Sequence, residues 1–578
     1  MSAEHPAELL LTGGTVLPPP GWAGWRDGRS DPGQWPSAVA VRGGRIVAVG
    51  GDGDAEAATG PGAERIDLAG RLLLPGFIDA HAHPVSGGLD RSRLDLTGRV
   101  ERADVLAAVA DYARRTPSGW VLGGGWSMET FPGGTPRAKL LDDVVGDRLV
   151  FLPNRDGHSA WVSSAALRLA GITAATPDPE GGRIERDPDG SPTGTLHESA
   201  MALVEPPAPT AEELDAALLE GQRYLHSVGV TGWTDALVGE YADLPDCLPV
   251  YLGAQAADRL TADVTAALWW PRGLSPAEVG QEVARLDTRR ATAERAATEV
   301  ERAGGRVRVR ARMVKIMQDG VLETFTAAMH EPYLDAHGNP GDNRGISYLA
   351  PDLFAAVVTA CETAGFAVHV HAIGDRAISD TLTAFQAARE VNGRLGLPHQ
   401  IAHLQVVPES DVARWAQLGV IANAQALWAC HEPQMDELTL PFIGPDRAAR
   451  QYPFGELHRA GVPLAMGSDW SVSSADPLAA VHVAVNRTAP GAEGRDTRGR
   501  PMPRLLPEQA LDVVTALHAY TAGSAVACGM ADVGQIRVGA HADLVVLDRN
   551  PVSLPSDEIG DARVDLTLVG GEPVHQPA

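Results

Sequence analysis

Apolar positions along this chain fall into short blocks whose spacing changes between its ends and its middle. Near the N-terminus, "LLLTGGTVL" and "AVAVRGGRIVAVG" gather apolar residues on either side of Gly-Gly pairs, which predicts short strands and a hairpin. The C-terminal stretches "GQIRVGAHADLVVLD" and "VDLTLVGGEPVH" repeat the style. Two β-rich ends around a long middle predict one small sheet domain, built from residues 1–72 and 529–578. The middle, residues 73–528, alternates strand-like and helix-like runs, the pattern of a parallel sheet closed into a barrel. Candidate strands are "GFIDAHAH", "GVTGWTDA", "LPVYLGAQ", "RVRARMVKIM", "GFAVHVHAIGD", "QIAHLQVV", "GVIANAQAL" and "VPLAMGSDW". That number suits a (β/α)8 barrel, so the expected class is α/β. Far more chain separates the first two than a tight βα unit needs, which predicts an inserted subdomain over about residues 85–226. The Ala/Glu/Arg-rich run "AEVGQEVARLDTRRATAERAATEVERAGG" predicts one or two solvated helices, its apolar positions being too sparse for a coiled coil.

Composition narrows the function classes more than the fold. At 578 residues the chain has room for roughly two to four units of ~150 residues. A net charge of −26 excludes a nucleic-acid partner, since no basic stripe could neutralise phosphates across it. Cys247, Cys361, Cys430 and Cys528 are too scattered for a CxxC redox or zinc motif. The opening "MSAEHPAELLLTGG" shows no basic segment followed by a long apolar one, and no apolar run approaches the ~20 residues that span a bilayer. The expectation is a reduced, cytoplasmic protein acting on a small molecule away from membranes, with homodimer formation left open.

Candidate chemistry gathers at the strand ends. In a (β/α)8 barrel the functional groups sit at the C-terminal ends of the strands. The first strand ends in His81 and His83, which a period-two strand turns to one face. The fourth ends at Lys315, the fifth at His371, the sixth at His403, and the eighth runs into Asp469 of "GSDW". Each alone reads equally as a buried polar residue with a hydrogen-bond partner. Together they suit a divalent ion, with zinc expected and iron or manganese as alternatives. Lys315 stands out further, because only two of the 48 lysines and arginines are lysines, the other being Lys139. His369, two residues before His371, faces the same way one layer deeper and is expected to support a ligand rather than be one.

His81 and His83 after "LPGFID", Lys315 in "VKIMQDG", His371 in "HVHAIGD", His403 in "AHLQ" and Asp469 in "GSDW" resemble the amidohydrolase superfamily. More narrowly, the chain resembles amidohydrolase family 3, the YtcJ-like branch that includes N-substituted formamide deformylases. "GGGWSMETF", "FLPNRDGHSAWVSSAALRLAGI" and "GAHADLVVLDRNP" follow the same branch. The resemblance implies a distorted (β/α)8 barrel with a composite sandwich and an insertion after the first strand. It implies that His81, His83 and Asp469 hold one ion, that His371 and His403 hold a second or support the first, and that Lys315 bridges two ions as an Nζ-carbamate.

The implied chemistry is hydrolysis of an amide, N-acyl or N-formyl bond by metal-activated hydroxide, with Asp469 as general base and acid and with Lys315 and His371 in the catalytic set. A cyclic amide, carbamate or ester hydrolase or a deaminase could use the same groups, and a non-catalytic binding descendant is the alternative from another class. Trp126, Asp156, His158 and Asp319 are candidate substrate walls. Ser127 and Ser471 depart from the branch's usual Asp and Pro, where the pocket is shaped.

Overall fold

The computed structural model describes residues 8–21, 32–60, 62–241, 245–495 and 499–577. Residues 1–7, part of the leader-free opening expected above, lie outside them. The centre is a sheet of eight parallel strands: Phe77–Ala82, Val230–Val238, Asp263–Trp269, Val309–Met317, Ala367–Ala372, Gln400–His403, Ile421–Ala424 and Leu464–Met466. Every residue of the first and fifth is buried, as expected of strands covered on both faces. Helices between them close the outside, and one core cluster runs through strands and helices alike.

The expected third strand is a correction. "LPVYLGAQ" lies in a helix, Leu248–Ala256, with proline in its first turn, and the strand is "DVTAALW". A proline with fixed φ and no N–H suits a helix start and would cost a central strand a ladder bond.

Ladder pairing runs from the first strand to the eighth, with no ladder between those two among the described residues. Side chains and loops close the seam instead. Ser468 donates from its N–H and Oγ to the two oxygens of Asp79, at 2.9 and 2.5 Å. The N–H of Asp469 donates to the carbonyl of His81 at 2.7 Å, and that of His83 to the carbonyl of Trp470 at 2.6 Å. Gly467 is required here, because a Cβ would lie 2.5 Å from the His81 nitrogen.

The termini build two further sheets around a shared core of Leu9, Val39, Leu73, Leu544 and Leu566. Strand Leu72–Pro75 pairs antiparallel with Leu544–Leu547, so the N-terminal contribution runs through Pro75 rather than ending at residue 72. Within the stretch expected as an insertion, 85–226, the two ends are helical. Helices Pro84–Ser92 and Ala211–Ser227 pack on each other and within the barrel's core cluster. Between them lies a six-stranded sheet running in sequence from Leu94 to Glu198. The Ala/Glu/Arg-rich run forms a single helix, Val279–Arg302.

Candidate metal centre

The first barrel strand and the turn after it deliver three side chains to the barrel interior, Asp79 deep, His81 above it and His83 at the rim. Register carries the pattern across the sheet: Lys315 lies opposite His369, Met317 opposite His371, and Ala372 opposite His403. Asp469 lies three residues past the end of the eighth strand and returns to the first through the seam bonds. His403 and Asp469 both hold left-handed backbone, φ 77° and 56°. Such conformations cost of order 1–3 kcal/mol each and persist where surrounding bonds impose them.

The six predicted ligands line one cavity of about 260 Å³, open at its mouth. His81, His403 and Asp469 bring ligand atoms within 4.8 Å of one another, all three buried. Oδ1 of Asp469 lies 3.3 Å from Nε2 of His81 and 3.0 Å from Nε2 of His83, and its Oδ2 is 3.8 Å from Nδ1 of His403. Nζ of Lys315 is 3.4 Å from Nε2 of His81. His371 packs its ring 4.4 Å from that of His403.

Hydrogen bonds behind the rings select which nitrogen each presents. Nε2 of His371 donates to the Gly320 carbonyl at 3.1 Å, so its Nδ1 keeps a lone pair. Nδ1 of His81 meets Nε2 of His369 at 2.8 Å, which places His369 behind a ligand and leaves Nε2 of His81 toward Asp469. His403 stacks on Trp428 at 5.4 Å with planes 9° apart. Burial, reinforced by neighbouring Lys315, holds His81, His369 and His371 well below the usual histidine range. Burial and then His371 do the same to His403. Neutral imidazoles are the form that binds metal. Burial also lowers Lys315 to about 8, against a raising effect from Asp469.

The donor set fits a divalent ion. Nδ1 of His403 is buried without a hydrogen-bond partner among the described residues, beside a carboxylate oxygen, an arrangement that is costly for a protein alone and natural for a ligand. His81, His403 and Asp469 would hold such an ion, with His83, Lys315 and His371 around them.

The sequence profile described as "Amidohydrolase family" matches residues 64–575. The chain belongs to the amidohydrolase family. It is accordingly a metal-dependent hydrolase of the class acting on carbon–nitrogen bonds other than peptide bonds. This amidohydrolase is 28% identical to the N-substituted formamide deformylase of Arthrobacter pascens, over 92% of the chain and 94% of that protein. It is 28% identical to the putative amidohydrolase YtcJ of Bacillus subtilis over 89% and 91%. Protein LONG AFTER FAR-RED 3 of Arabidopsis thaliana is 29% identical over 98% and 92%. Among solved structures, an uncharacterized metal-dependent hydrolase from Pyrococcus furiosus superposes with a TM-score of 0.67 at 24% identity, covering 95% of this chain and all of that one.

Two expected wall residues of the amidohydrolase sit elsewhere. Trp126 is fully buried in the insertion's own core, edge-on to Phe131 and Trp161, with Nε1 donating to the Leu152 carbonyl at 2.7 Å. Asp319 is fully buried as well, its carboxylate accepting the N–H groups of Ala328, Ile373 and Gly374 at 2.8–3.0 Å. It ties the end of the fourth strand to that of the fifth, and burial raises it to about 7. Neither lines the cavity, whereas Asp156 and His158 do. Sequence reading overlooked Asp79, whose alternation with His81 and His83 was visible, and also Trp428 and Glu198, which no spacing marks.

Proposed function

We propose that this amidohydrolase cleaves an amide or N-acyl bond of a small molecule, N-formyl amines being the first class to test. The observation that carries the reading is the convergence of His81, His403 and Asp469 within 4.8 Å, flanked by His83, Lys315 and His371, at the floor of an open cavity. The likeness to an N-substituted formamide deformylase over nearly the whole chain supports the formyl class.

A divalent ion, when bound, supplies Lewis acidity that brings the pKa of water to about 7 and polarises a carbonyl. Asp469 takes the proton from the attacking water. The water oxygen then adds to the carbonyl carbon, the C–N bond breaks, and Asp469 passes its proton to the leaving nitrogen. His83 steadies the carboxylate through its 3.0 Å contact to Oδ1. Leu89, Leu122, Phe151, Met317 and Trp428 exclude water around the acyl and amine groups.

Lys315 is read as an N-carboxylysine. The neutral buried amine adds carbon dioxide, loses a proton, and becomes an anionic oxygen donor instead of a cation. Arginine could not follow this route.

The test is metal analysis of the purified protein, chelation, reconstitution with zinc, manganese or iron, and a screen of N-formyl, N-acyl and cyclic amides. Bound metal and metal-dependent hydrolysis of a formamide are expected. Absence of metal uptake together with absence of hydrolysis would sink the reading.

A further inference from the structure

The reaction above uses the inserted sheet only for apolar walls, yet the tip of one of its hairpins brings polar groups into the same cavity. Strands Val150–Pro153 and Ser159–Val162 pair antiparallel, and the residues joining them form a tightly bonded turn. Oδ1 of Asn154 accepts the N–H of Ser159, Oδ1 of Asp156 accepts that of His158, and Gly157 supplies the left-handed step at φ 75°. The turn sets the His158 ring 5.9 Å from that of His371, on the cavity wall.

Glu198 fixes that ring. Nδ1 of His158 and Oε1 of Glu198 are 2.8 Å apart, and the N–H of Glu198 donates to the His158 carbonyl at 3.0 Å. Oε1 also accepts from Oγ1 of Thr326 at 3.0 Å, and Oε2 from the Tyr348 hydroxyl at 3.1 Å. Glu198 itself sits at φ 52°, a backbone state that needs such anchoring. The carboxylate therefore joins the inserted sheet to the long loop after the fourth barrel strand, with His158 held at the junction.

What distinguishes this histidine is its other nitrogen. A ring nitrogen 2.8 Å from a carboxylate oxygen carries the proton, so Nδ1 is committed. Nε2 has no hydrogen-bond partner among the described residues, and the ring borders the cavity. Purely structural histidines in the same molecule behave otherwise. His226 bonds the Val230 carbonyl and Thr261 with its two nitrogens, and His197 bonds Ser159 and Glu185. A histidine so firmly positioned with one nitrogen left for the cavity is arranged to meet a ligand. The adjacent carboxylate favours the cationic ring, which makes Nε2 a donor.

We propose that His158, positioned by Glu198, contacts the substrate by donating from Nε2 to the acyl oxygen of the amide. This rests on the amide-hydrolase reading. The contact strengthens as that oxygen gains negative charge when water adds to the carbon, so His158 is a catalytic residue and Glu198 a positioning residue.

The experiment uses the zinc-reconstituted full chain and the variants His158→Asn, His158→Gln and Glu198→Gln. The readouts are kcat and KM on the best N-formyl amine of the screen, zinc content, thermal melting, and formate binding by titration calorimetry. Formate carries the acyl oxygens and needs no turnover. His158→Asn is expected to lower kcat about 100-fold with KM changed less than about 3-fold, and to weaken formate about 10-fold, at unchanged zinc content. His158→Gln, which restores a longer donor, recovers part of the loss. Glu198→Gln gives a smaller fall of the same kind, in kcat rather than KM.

Unchanged kcat and formate affinity in His158→Asn would overturn the inference and leave the hydrolase reading standing. So would loss of zinc or of the fold in both His158 variants, which would make the residue structural. A wild type that takes up no metal and hydrolyses no amide defeats the hydrolase reading, and formate affinity then decides His158 by itself.

Discussion

Lys315 shows how a single residue type can report its task. It is buried near the end of a barrel strand in a chain that spends arginine on all but one of its other such cations, and its amine faces an imidazole 3.4 Å away. Lys315→Arg keeps a long basic side chain but forces a permanent cation into the site proposed to hold a divalent ion. Activity should fall about 100-fold or more and bound zinc should drop, as read by turnover and metal analysis; substantial activity would remove the carbamate.

The His158–Glu198 pair gives a second prediction. Burial opposes the charge on His158, but Glu198 prevails and raises it from 6.5 to about 9; Glu198, against its own burial, falls from 4.5 to about 2. The histidine's contribution to stability is complete below pH 6.5 and is lost as pH rises through about 9. The glutamate's is complete above pH 4.5 and is lost as pH falls toward 2. The melting temperature of the wild type should therefore exceed that of Glu198→Gln most near pH 5–6, by on the order of 3 °C, and the gap should close by about pH 10.

The contrast between these residues marks what sequence could disclose. His81, His83 and Lys315 announced themselves by spacing or rarity. Glu198 in "TLHESAMAL" had no such signal, since its partners come from two distant segments. Trp126 and Asp319 were of the right type and near the right motifs, but sequence does not say which way a side chain points.

At the scale of elements, periodicity recovered the barrel but stumbled where apolar runs were short. "LPVYLGAQ" and "DVTAALW" are both apolar and both brief, and length could not separate a buried helix from a buried strand. The stretch expected as an insertion begins and ends in helices, Pro84–Ser92 and Ala211–Ser227, which its apolar pattern did not separate from the sheet between them. Those two helices pack almost backbone to backbone. A Cβ on Gly88 would fall 1.8 Å from the Ala217 carbonyl oxygen, and one on Gly221 would fall 2.4 Å from that of Pro84. Gly88→Ala should destabilise the protein by about 1–3 kcal/mol in denaturant titration. Because the first of these helices starts immediately after His83, turnover should fall as well.

At the scale of the whole molecule, the N- and C-terminal segments share one small core beside the barrel, and an ionic clamp ties the C-terminal segment to the barrel. Arg306 bonds Asp263 on the third barrel strand and Asp543 beside the C-terminal sandwich strand, at 2.6 Å to Oδ2 of the latter. Arg306→Met leaves two buried carboxylates facing each other and should cost about 3–5 kcal/mol, measured by denaturant unfolding; Asp543→Asn in that background should recover part. The composite sandwich was legible because its strands repeat one glycine-turn style at both ends, whereas the clamp was not, since its arginine is one of many.

The barrel's seam has a consequence for durability. The groups that join the first strand to the eighth are Asp79, Ser468 and the backbone of His81, His83, Asp469 and Trp470, so the last stitch of the fold and the floor of the reaction site are the same bonds. A warmed molecule loosens first where no strand ladder resists. Inactivation should therefore precede melting by several degrees, with the amides of residues 467–471 exchanging hydrogen ahead of the other barrel strands. A bound ion gripping both sides of that gap would act as a rivet, letting an assay for shelf life double as an assay for occupancy.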